Sequence, residues 1–298
     1  MISPLVECVA NFSEGRDAST VRAIEDAIAS PPGVLVLRAE RDTDHNRSVI
    51  TFAGPPDAVS EGALRGIAVA VERIDLRKHS GVHPRMGAAD VVPFVPLEGL
   101  TLEDCVAIAR RTGEEVWRRL GVPVYFYEAA ALSPDRRMLE NCRRGGFENP
   151  KIAPDLGGPV LHPSAGACII GARKILIAFN INLQTDDVTV AQEIAKKIRT
   201  SSGGMPFVKA LGLPLAGRGL TQVSMNLTDF EQTPLHQVFD AVRHEAAERG
   251  VEIAGSEIIG LVPKKALEDA AAHYLQCENF DSGLVLENRL QNVRRALE

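Results

Sequence analysis

The order in which strand-like and helix-like apolar patterns alternate restricts the fold of this chain more than any other feature. From residue 174 to residue 276, runs typical of strands and recurrences at helical spacing follow the order β-α-β-β-α-β. This is the split βαβ or ferredoxin-like order. The first half begins with the same order and then adds a helix and a strand. The sequence therefore predicts an α/β (α+β) protein of two ferredoxin-like-ordered sandwich subdomains, residues 1–172 and residues 173–298.

Local patterns predict particular elements within this plan. The run VVPFVPL is predicted to be an edge strand or a strand end, because proline removes a ladder donor. Thr101 and Asp104 have the spacing of a capping box and predict the start of a helix. From Ser133 to Ala167 no period is visible, and loops of that length in compact proteins are usually functional or partly disordered.

Length and charge agree with two compact units and exclude several classes of protein. At about 150 residues per domain, 298 residues suggest two units. The net charge of −6 gives no general attraction for nucleic-acid phosphates or anionic membranes, so neither is expected as a partner. The five cysteines form no CxxC pair. With no signal-peptide pattern and no apolar run of about 18 residues, a cytoplasmic protein is expected.

The segment HSGVHPRMGAAD, residues 79–90, carries two histidines, an arginine and an aspartate between a predicted helix and strand. His79 and His83 have the spacing of two metal ligands on a helix, but Gly81 and Pro84 disfavour a helix and no third ligand is evident, so no metal is expected. A histidine here suits a general base, because its ordinary pKa is about 6.5. The alternative is a histidine that only satisfies a neighbouring carbonyl.

Two further segments are candidates for ligand binding. Glycines at both ends of residues 157–166 would let the backbone approach a flat ligand closely, although the same composition fits a linker between the halves. The polar turn at residues 42–47 places Arg47 where it could bind a carboxylate if the turn faces the histidine segment. The phosphate-loop, Rossmann and GxSxG motifs are absent from the sequence, which disfavours nucleotide binding and serine hydrolysis.

Several blocks together resemble the formiminotransferase family. In the family's order and spacing, these are VECVANFSEGRD, DHNRSVITFAGPP, HSGVHPRMGAADVVPFVP, GVPVYFY, HPSAGACIIGARK, IAFNINL, QVSMNL and GSEIIGLVP. The resemblance covers essentially the whole chain and leads us to expect the stand-alone form, not the animal fusion to a cyclodeaminase. It implies transfer of the formimino group from N-formimino-L-glutamate to N5 of tetrahydrofolate, the co-substrate. It also implies a ligand groove between the two subdomains and a homodimer.

The resemblance assigns roles to particular residues. His83, in the motif GxHPRMG, matches the family's catalytic histidine and is expected to be the general base. Arg47 and Arg85 are expected to hold the glutamate carboxylates, and Asn11 and Asp44 complete the predicted substrate site. The family's folate-binding stretch maps onto Gly157, Gly158, Pro159, Val160, Leu161, His162, Pro163, Ser164, Ala165 and Gly166.

The reaction also requires a carboxylate beside the substrate, because the amidine is most reactive when it is protonated. The candidates are Glu40, Asp42, Asp44 and Asp90.

Two residues depart from the family pattern. Ala10 replaces a proline of the animal members, and Ala165 replaces a tryptophan in the folate stretch. Loss of the tryptophan would remove a ring that could stack on the folate. It leaves open formyl transfer between 5-formyltetrahydrofolate and glutamate. A third possibility is a folate-binding module without turnover, which the intact HPRMG sequence disfavours.

Overall fold

The computed structural model describes residues 3–43, 45–81, 84–215 and 217–297, with the backbone alone at 292 and 294–297. The chain divides into two compact units, Met1–Lys174 and Ile175–Glu298. Each unit has one β-sheet and a buried apolar core of its own.

The first unit contains a six-stranded mixed sheet. Its strands are β1 (Val6–Phe12), β2 (Leu35–Asp42), β3 (Arg47–Gly54), β4 (Ala89–Pro96), β5 (Val124–Glu128) and β6 (Cys168–Ala172). Its helices are α1 (Ala18–Ala29), α2 (Pro56–Arg73), α3 (Leu102–Leu120) and the single turn α4 (Leu139–Cys142). The sheet order is β2-β3-β1-β4-β6-β5. The first four strands are antiparallel and have the ferredoxin-like arrangement, and β6 extends the sheet parallel to β4 and β5.

The second unit has a four-stranded antiparallel sheet in the same arrangement. Its elements are β7 (Ile177–Leu183), α5 (Val188–Ile198), β8 (Val208–Leu215), β9 (Leu220–Leu227), α6 (Leu235–Glu248), β10 (Ile253–Ile259), α7 (Lys264–Tyr274) and α8 (Leu286–Leu297). The strand order is β10-β7-β9-β8, with every pair antiparallel. The α/β fold with two ferredoxin-like-ordered units is therefore confirmed.

Helix α3 shows how local sequence fixes an element of the first unit. The Thr101 hydroxyl accepts a hydrogen bond from the Asp104 N–H at 3.2 Å, and the Asp104 carboxylate accepts one from the Thr101 N–H at 2.8 Å. This confirms the predicted capping box. Gly121 ends the helix at φ +63°, which glycine adopts without steric cost.

Of the two alternatives predicted for VVPFVPL, the edge strand was wrong, while the strand does end at Pro96. This run forms most of β4, which lies between β1 and β6 and is buried along nearly its whole length. The β1–β4 ladder pairs Cys8 with Phe94 and Asn11 with Val91, so Pro93 falls in the interval between these pairs. On its other side Pro93 is paired with Gly171 of β6, so the gap that a proline leaves in a ladder lies on the β1 side.

Three features of the chain were not predicted from the sequence. Strand β6 precedes the strand predicted from Lys174 to Leu183, which begins only at Ile177. The stretch from 133 to 167 is mostly turns, with a short 3-10 turn and α4 inside it. Helix α8 follows the last predicted helix.

Candidate active site

Strand directions in the first unit bring the predicted site residues to one end of the sheet. Because β1 is antiparallel to β3 and β4, Asn11 near the end of β1 lies close to the starts of both neighbours. Arg47 is the first residue of β3, and Asp90 is the second of β4. Since β6 is parallel to β4, the segment 157–166 before β6 comes to the same end. Segments far apart in sequence therefore meet there.

Asp90 is the centre of the polar cluster at this end. Its side chain is fully buried, and its Oδ2 accepts hydrogen bonds from Arg47 Nη1 at 2.8 Å and Arg143 Nη2 at 2.5 Å. Its Oδ1 accepts one from the Met86 N–H at 2.7 Å. Burial alone would raise the pKa of Asp90, but the two guanidinium groups and the Met86 N–H outweigh it and hold the pKa well below its ordinary value. Asp90 is therefore a buried carboxylate ion.

Arg47 and Asn11, both predicted substrate residues, are in direct contact. Arg47 donates from Nη2 and Nε to Asn11 Oδ1 at 3.0 and 3.3 Å. The Asn11 amide in turn donates to the Val9 carbonyl at 2.9 Å. Burial lowers the pKa of Arg47, Asp90 raises it and Arg143 lowers it. The Asn11 amide and the Asp90 carboxylate thus fix the orientation of the Arg47 guanidinium.

His79 has a structural role in the histidine segment. Its Nε2 lies 3.1 Å from the Asn46 carbonyl oxygen, which can only accept, so Nε2 carries the proton. The Asn46 side chain accepts from the Gly15 N–H at 3.0 Å and donates to the Ser80 carbonyl at 3.1 Å. Burial lowers the pKa of His79. The sequence allowed a histidine in this segment to be either a general base or the hydrogen-bond partner of a carbonyl. The contact with Asn46 agrees with the second role for His79.

Arg85, the second predicted carboxylate ligand, holds the segment against the long loop. Its Nη2 donates to Glu148 Oε1 at 2.8 Å and to the Leu76 and His79 carbonyls at 3.3 Å. Its carbonyl accepts a hydrogen bond from the Phe147 N–H at 3.0 Å. Arg85 therefore has protein partners in the structure, and these differ from the partners of Arg47.

The predicted folate segment is built onto the histidine segment and is not a loose linker. His162 and Gly166 exchange two backbone hydrogen bonds of 2.9 Å, and the Ala165 N–H donates to His162 Nδ1 at 3.0 Å. The Ala165 carbonyl accepts from the Ala88 N–H at 2.9 Å. Gly166 also forms a bridge with Gly87. Two segments that the sequence treated separately thus form one structural unit.

Gly166→Ala should lower the free energy of unfolding by at least about 2 kcal/mol. Gly166 has φ +69°, and an added Cβ would lie 2.0 Å from the Met86 carbonyl oxygen. Gly158→Ala is the matched control, because Gly158 has φ +78° with nothing within 4 Å of the added Cβ. Urea unfolding of the two variants measures the difference. Equal losses would show that the contact with Met86 contributes nothing.

The protein should lose stability as pH falls below about 6.5, in part because of His162. Burial lowers the pKa of His162, and its Nδ1 already accepts a backbone N–H. The unfolded chain therefore binds a proton at a higher pH than the folded chain does, so stability is full above the ordinary histidine pKa and declines below it. Urea unfolding between pH 5 and pH 8 should show a smaller slope for His162→Asn than for the natural chain. An unchanged slope would contradict this.

The carboxylates proposed for the amidinium have different environments. Asp90 is occupied by two arginines, and Glu40 pairs with Arg38 at 2.6 Å. Asp42 lies 2.8 Å from His45, and both side chains are about half exposed.

Two predicted site residues, His83 and Asp44, lie outside the described residues. The chain around them is described. An added Cβ at Gly81 would lie 2.5 Å from the His45 carbonyl oxygen, so residue 81 is in close contact with the turn. On the other side, Met86 is bound to Asp90.

Arg143 is the member of the cluster that sequence reasoning missed. It follows α4 in the stretch 133–167, which has no apolar period. The only sequence signal was the unusual length of this charged loop.

Comparison with known proteins identifies the family. The model of the formiminotransferase domain, N-terminal subdomain, matches residues 5–173, and the model of the formiminotransferase domain matches residues 178–297. The chain belongs to the formiminotransferase family. The resemblance drawn from the sequence blocks is therefore confirmed.

Individual relatives in the formiminotransferase family match nearly the whole chain. Glutamate formimidoyltransferase of Streptococcus pyogenes is 44% identical, covering 97% of this chain and 99% of the relative. The protein of the same name from Thermoplasma acidophilum is 47% identical, with 97% and 98% covered. Mouse formimidoyltransferase-cyclodeaminase is 44% identical over 94% of this chain and 54% of its own length.

Two kinds of feature are absent from the described part of the chain. No group of three or more histidine, cysteine, aspartate or glutamate side chains could hold a metal ion. No helix combines the length and the apolar character needed to cross a membrane.

The second unit has a cavity of about 440 Å³ between β10, α6 and α7. Phe179, His236, Phe239 and Tyr274 are among its lining residues. None of the predicted formiminotransferase site residues that the structure describes lines this cavity.

Proposed function

We propose that this chain transfers the formimino group from N-formimino-L-glutamate to N5 of tetrahydrofolate. The observation that carries the proposal is the 44% and 47% identity to two proteins named glutamate formimidoyltransferase, over 97% of this chain. The cluster at the end of the first sheet adds the cationic groups that an anionic substrate requires.

In the proposed reaction, N5 attacks the amidine carbon and becomes positively charged. His83 takes the proton from N5 and returns it to the departing glutamate nitrogen, so that the carbon–nitrogen bond to glutamate breaks as the new bond persists. General base catalysis of this kind typically contributes 10²–10⁴-fold. The motif GxHPRMG supports the assignment, because its histidine, His83, matches the catalytic histidine of the family that the chain resembles.

The binding roles follow from the same geometry. Arg47, oriented by Asn11, binds a substrate carboxylate through the small part of its side chain that is exposed. Glu40, Asp42 or Asp44 holds the protonated amidine, since Asp90 is buried and already paired with two arginines. The segment 157–166 binds the folate, supported by its attachment to the histidine segment. Arg85 binds a second substrate carboxylate and also holds the histidine segment through its contacts with Glu148 and the His79 carbonyl.

The burial of Ala165 disfavours formyl transfer. Ala165 is 1% exposed and belongs to the main core of the first unit. The exchange of tryptophan for alanine therefore changes the packing at this position, where a ring stacked on the folate is not required.

A coupled product assay tests the proposal. Purified protein with formiminoglutamate and tetrahydrofolate should yield 5-formiminotetrahydrofolate, seen as the methenyl chromophore after acid treatment. A parallel reaction with 5-formyltetrahydrofolate and glutamate is the control for formyl transfer. If the formyl-transfer control gives product and the formimino reaction gives none, formimino transfer is contradicted.

A homodimer and a cytoplasmic location stay predictions from the family resemblance and the sequence. Light scattering on the purified protein measures the first. Fractionation of cells that produce the chain measures the second.

A further inference from the structure

The cluster at the start of β4 has an imbalance of charge. Arg47 and Arg143 both contact the same Asp90 oxygen, so two guanidinium ions share one carboxylate. Their side chains are only 12% and 15% exposed. Two nearly buried cations beside one buried anion leave a positive charge with little water to stabilise it, which is unfavourable unless an anion binds there.

The exposed part of the cluster is entirely cationic. Asp90 is 0% exposed, so a ligand that reaches the cluster meets the arginines and not the carboxylate. Arg143 has donors to spare, because its Nη2 is bound to Asp90 while its buried Nε has no hydrogen-bond partner among the described residues. An anion bound at the exposed part of the Arg143 side chain would pair with donors that Asp90 leaves unused.

The geometry points to Arg143 and Arg47 as a paired carboxylate site, with Asp90 as the residue that positions both. The ligand is a carboxylate of a glutamate moiety, because the planar fork of a guanidinium matches the two oxygens of a carboxylate. Both substrates of the proposed reaction carry such a moiety, formiminoglutamate itself and the tail of tetrahydrofolate. The inference therefore rests on the proposed function and adds Arg143 and Asp90 to its site.

Asp90 also connects this site to the segment that carries the proposed base. Its Oδ2 contacts the two arginines while its Oδ1 accepts the Met86 N–H, three residues after His83. One buried carboxylate thus fixes the anion-binding groups and the end of the HPRMG sequence together. Asp90 is a positioning residue, since its own oxygens are occupied and buried.

Steady-state kinetics of Arg143→Met test the site. The variant should raise the KM of the substrate whose carboxylate is bound at least tenfold, with kcat within about threefold, because the contact is made in both the ground state and the transition state. Arg143→Lys keeps the positive charge but lacks the planar fork of the guanidinium. Its KM should lie between the values of the natural chain and Arg143→Met. Arg144→Met is the matched control, since Arg144 is exposed and its Nη2 donates to Asn141 Oδ1 and not to Asp90.

Substrate analogues identify the carboxylate. N-formimino-4-aminobutyrate lacks the α-carboxylate of formiminoglutamate, N-formimino-2-aminobutyrate lacks the γ-carboxylate, and tetrahydropteroate lacks the folate glutamate. With the analogue that lacks the bound carboxylate, the natural chain and Arg143→Met should have the same kcat/KM within about threefold. A structural role for Arg143 would instead reduce kcat/KM equally for every substrate and analogue, and that result would overturn the inference.

The natural chain separates this inference from the proposed function. If it makes no 5-formiminotetrahydrofolate, the proposed function fails, and calorimetric titration of formiminoglutamate and tetrahydrofolate into the natural chain and Arg143→Met tests the carboxylate site alone. Binding that weakens at least tenfold in the variant supports the site. Equal binding to both proteins, or binding to neither, overturns it. Thermal unfolding of Arg143→Met, Arg143→Lys and Arg144→Met shows whether each variant is folded. If Arg143→Met is unfolded, Arg143→Lys takes its place in the comparison.

Discussion

Asp90→Ala should destabilise the protein by about 3–5 kcal/mol, one of the two largest effects expected in this chain. The substitution removes the only carboxylate that contacts Arg47 and Arg143 in the described cluster. It also leaves the buried Met86 N–H without its acceptor. Two cations would then lie together in a site with little water, with no anion between them. Urea unfolding at neutral pH measures the loss.

A double variant distinguishes loss of the ion pair from general damage. If the unpaired charges cause the loss, Asp90→Ala with Arg143→Met should recover part of the stability, because one uncompensated cation is removed. Additive losses would contradict the ion-pair account.

Acid should destabilise the protein, as Asp90→Ala does. Since folding lowers the pKa of Asp90, its carboxylate stabilises the protein above about pH 4 and this contribution is lost as pH falls.

Most of the fold could be predicted because periodicity and turn chemistry are local properties of the chain. The helix after Thr101 has its cap, its buried face and its terminal glycine within about twenty residues of sequence. The position of a strand within a sheet is not local in this sense. Pro93 reads as an edge residue, yet its place between two ladder pairs depends on the register with β1 about 85 residues earlier.

The candidate site could be predicted in part. The family resemblance assigned Asn11 and Arg47 to one substrate site, and they are in contact because they lie in β1 and β3, which pair antiparallel. Arg143 could not be found, since no pattern in the stretch 133–167 shows that its chain returns to Asp90. The partner of Asp90 depends on tertiary structure that sequence spacing does not record.

The two histidines of the segment also show this limit. Sequence chemistry alone permits either histidine as the base, and only the family motif selects His83. The structure gives His79 a carbonyl partner and a lowered pKa caused by burial, which suit a role in holding the turn. That assignment sharpens the test of His83, because the same substitution at the two positions should have different consequences.

His83→Asn should reduce kcat at least a hundredfold, while the KM values for both substrates change less than about threefold. Asparagine keeps a polar side chain of similar size but cannot accept the proton that N5 must lose. The kcat/KM of the natural chain should rise with pH through about 6.5, as a histidine base loses its proton, and this rise should vanish in the variant.

His79→Asn is the matched comparison, since it makes the same change four residues earlier in the same segment. Its side chain donates to the Asn46 carbonyl in the natural chain, so the variant should lose stability in urea unfolding and less than about tenfold in kcat. The general-base assignment requires the two variants to differ in kcat by an order of magnitude or more, with the pH-dependent rise retained in His79→Asn. If His83→Asn keeps near-normal turnover and the rise persists, the base is another group and the proton leaves N5 by a different route.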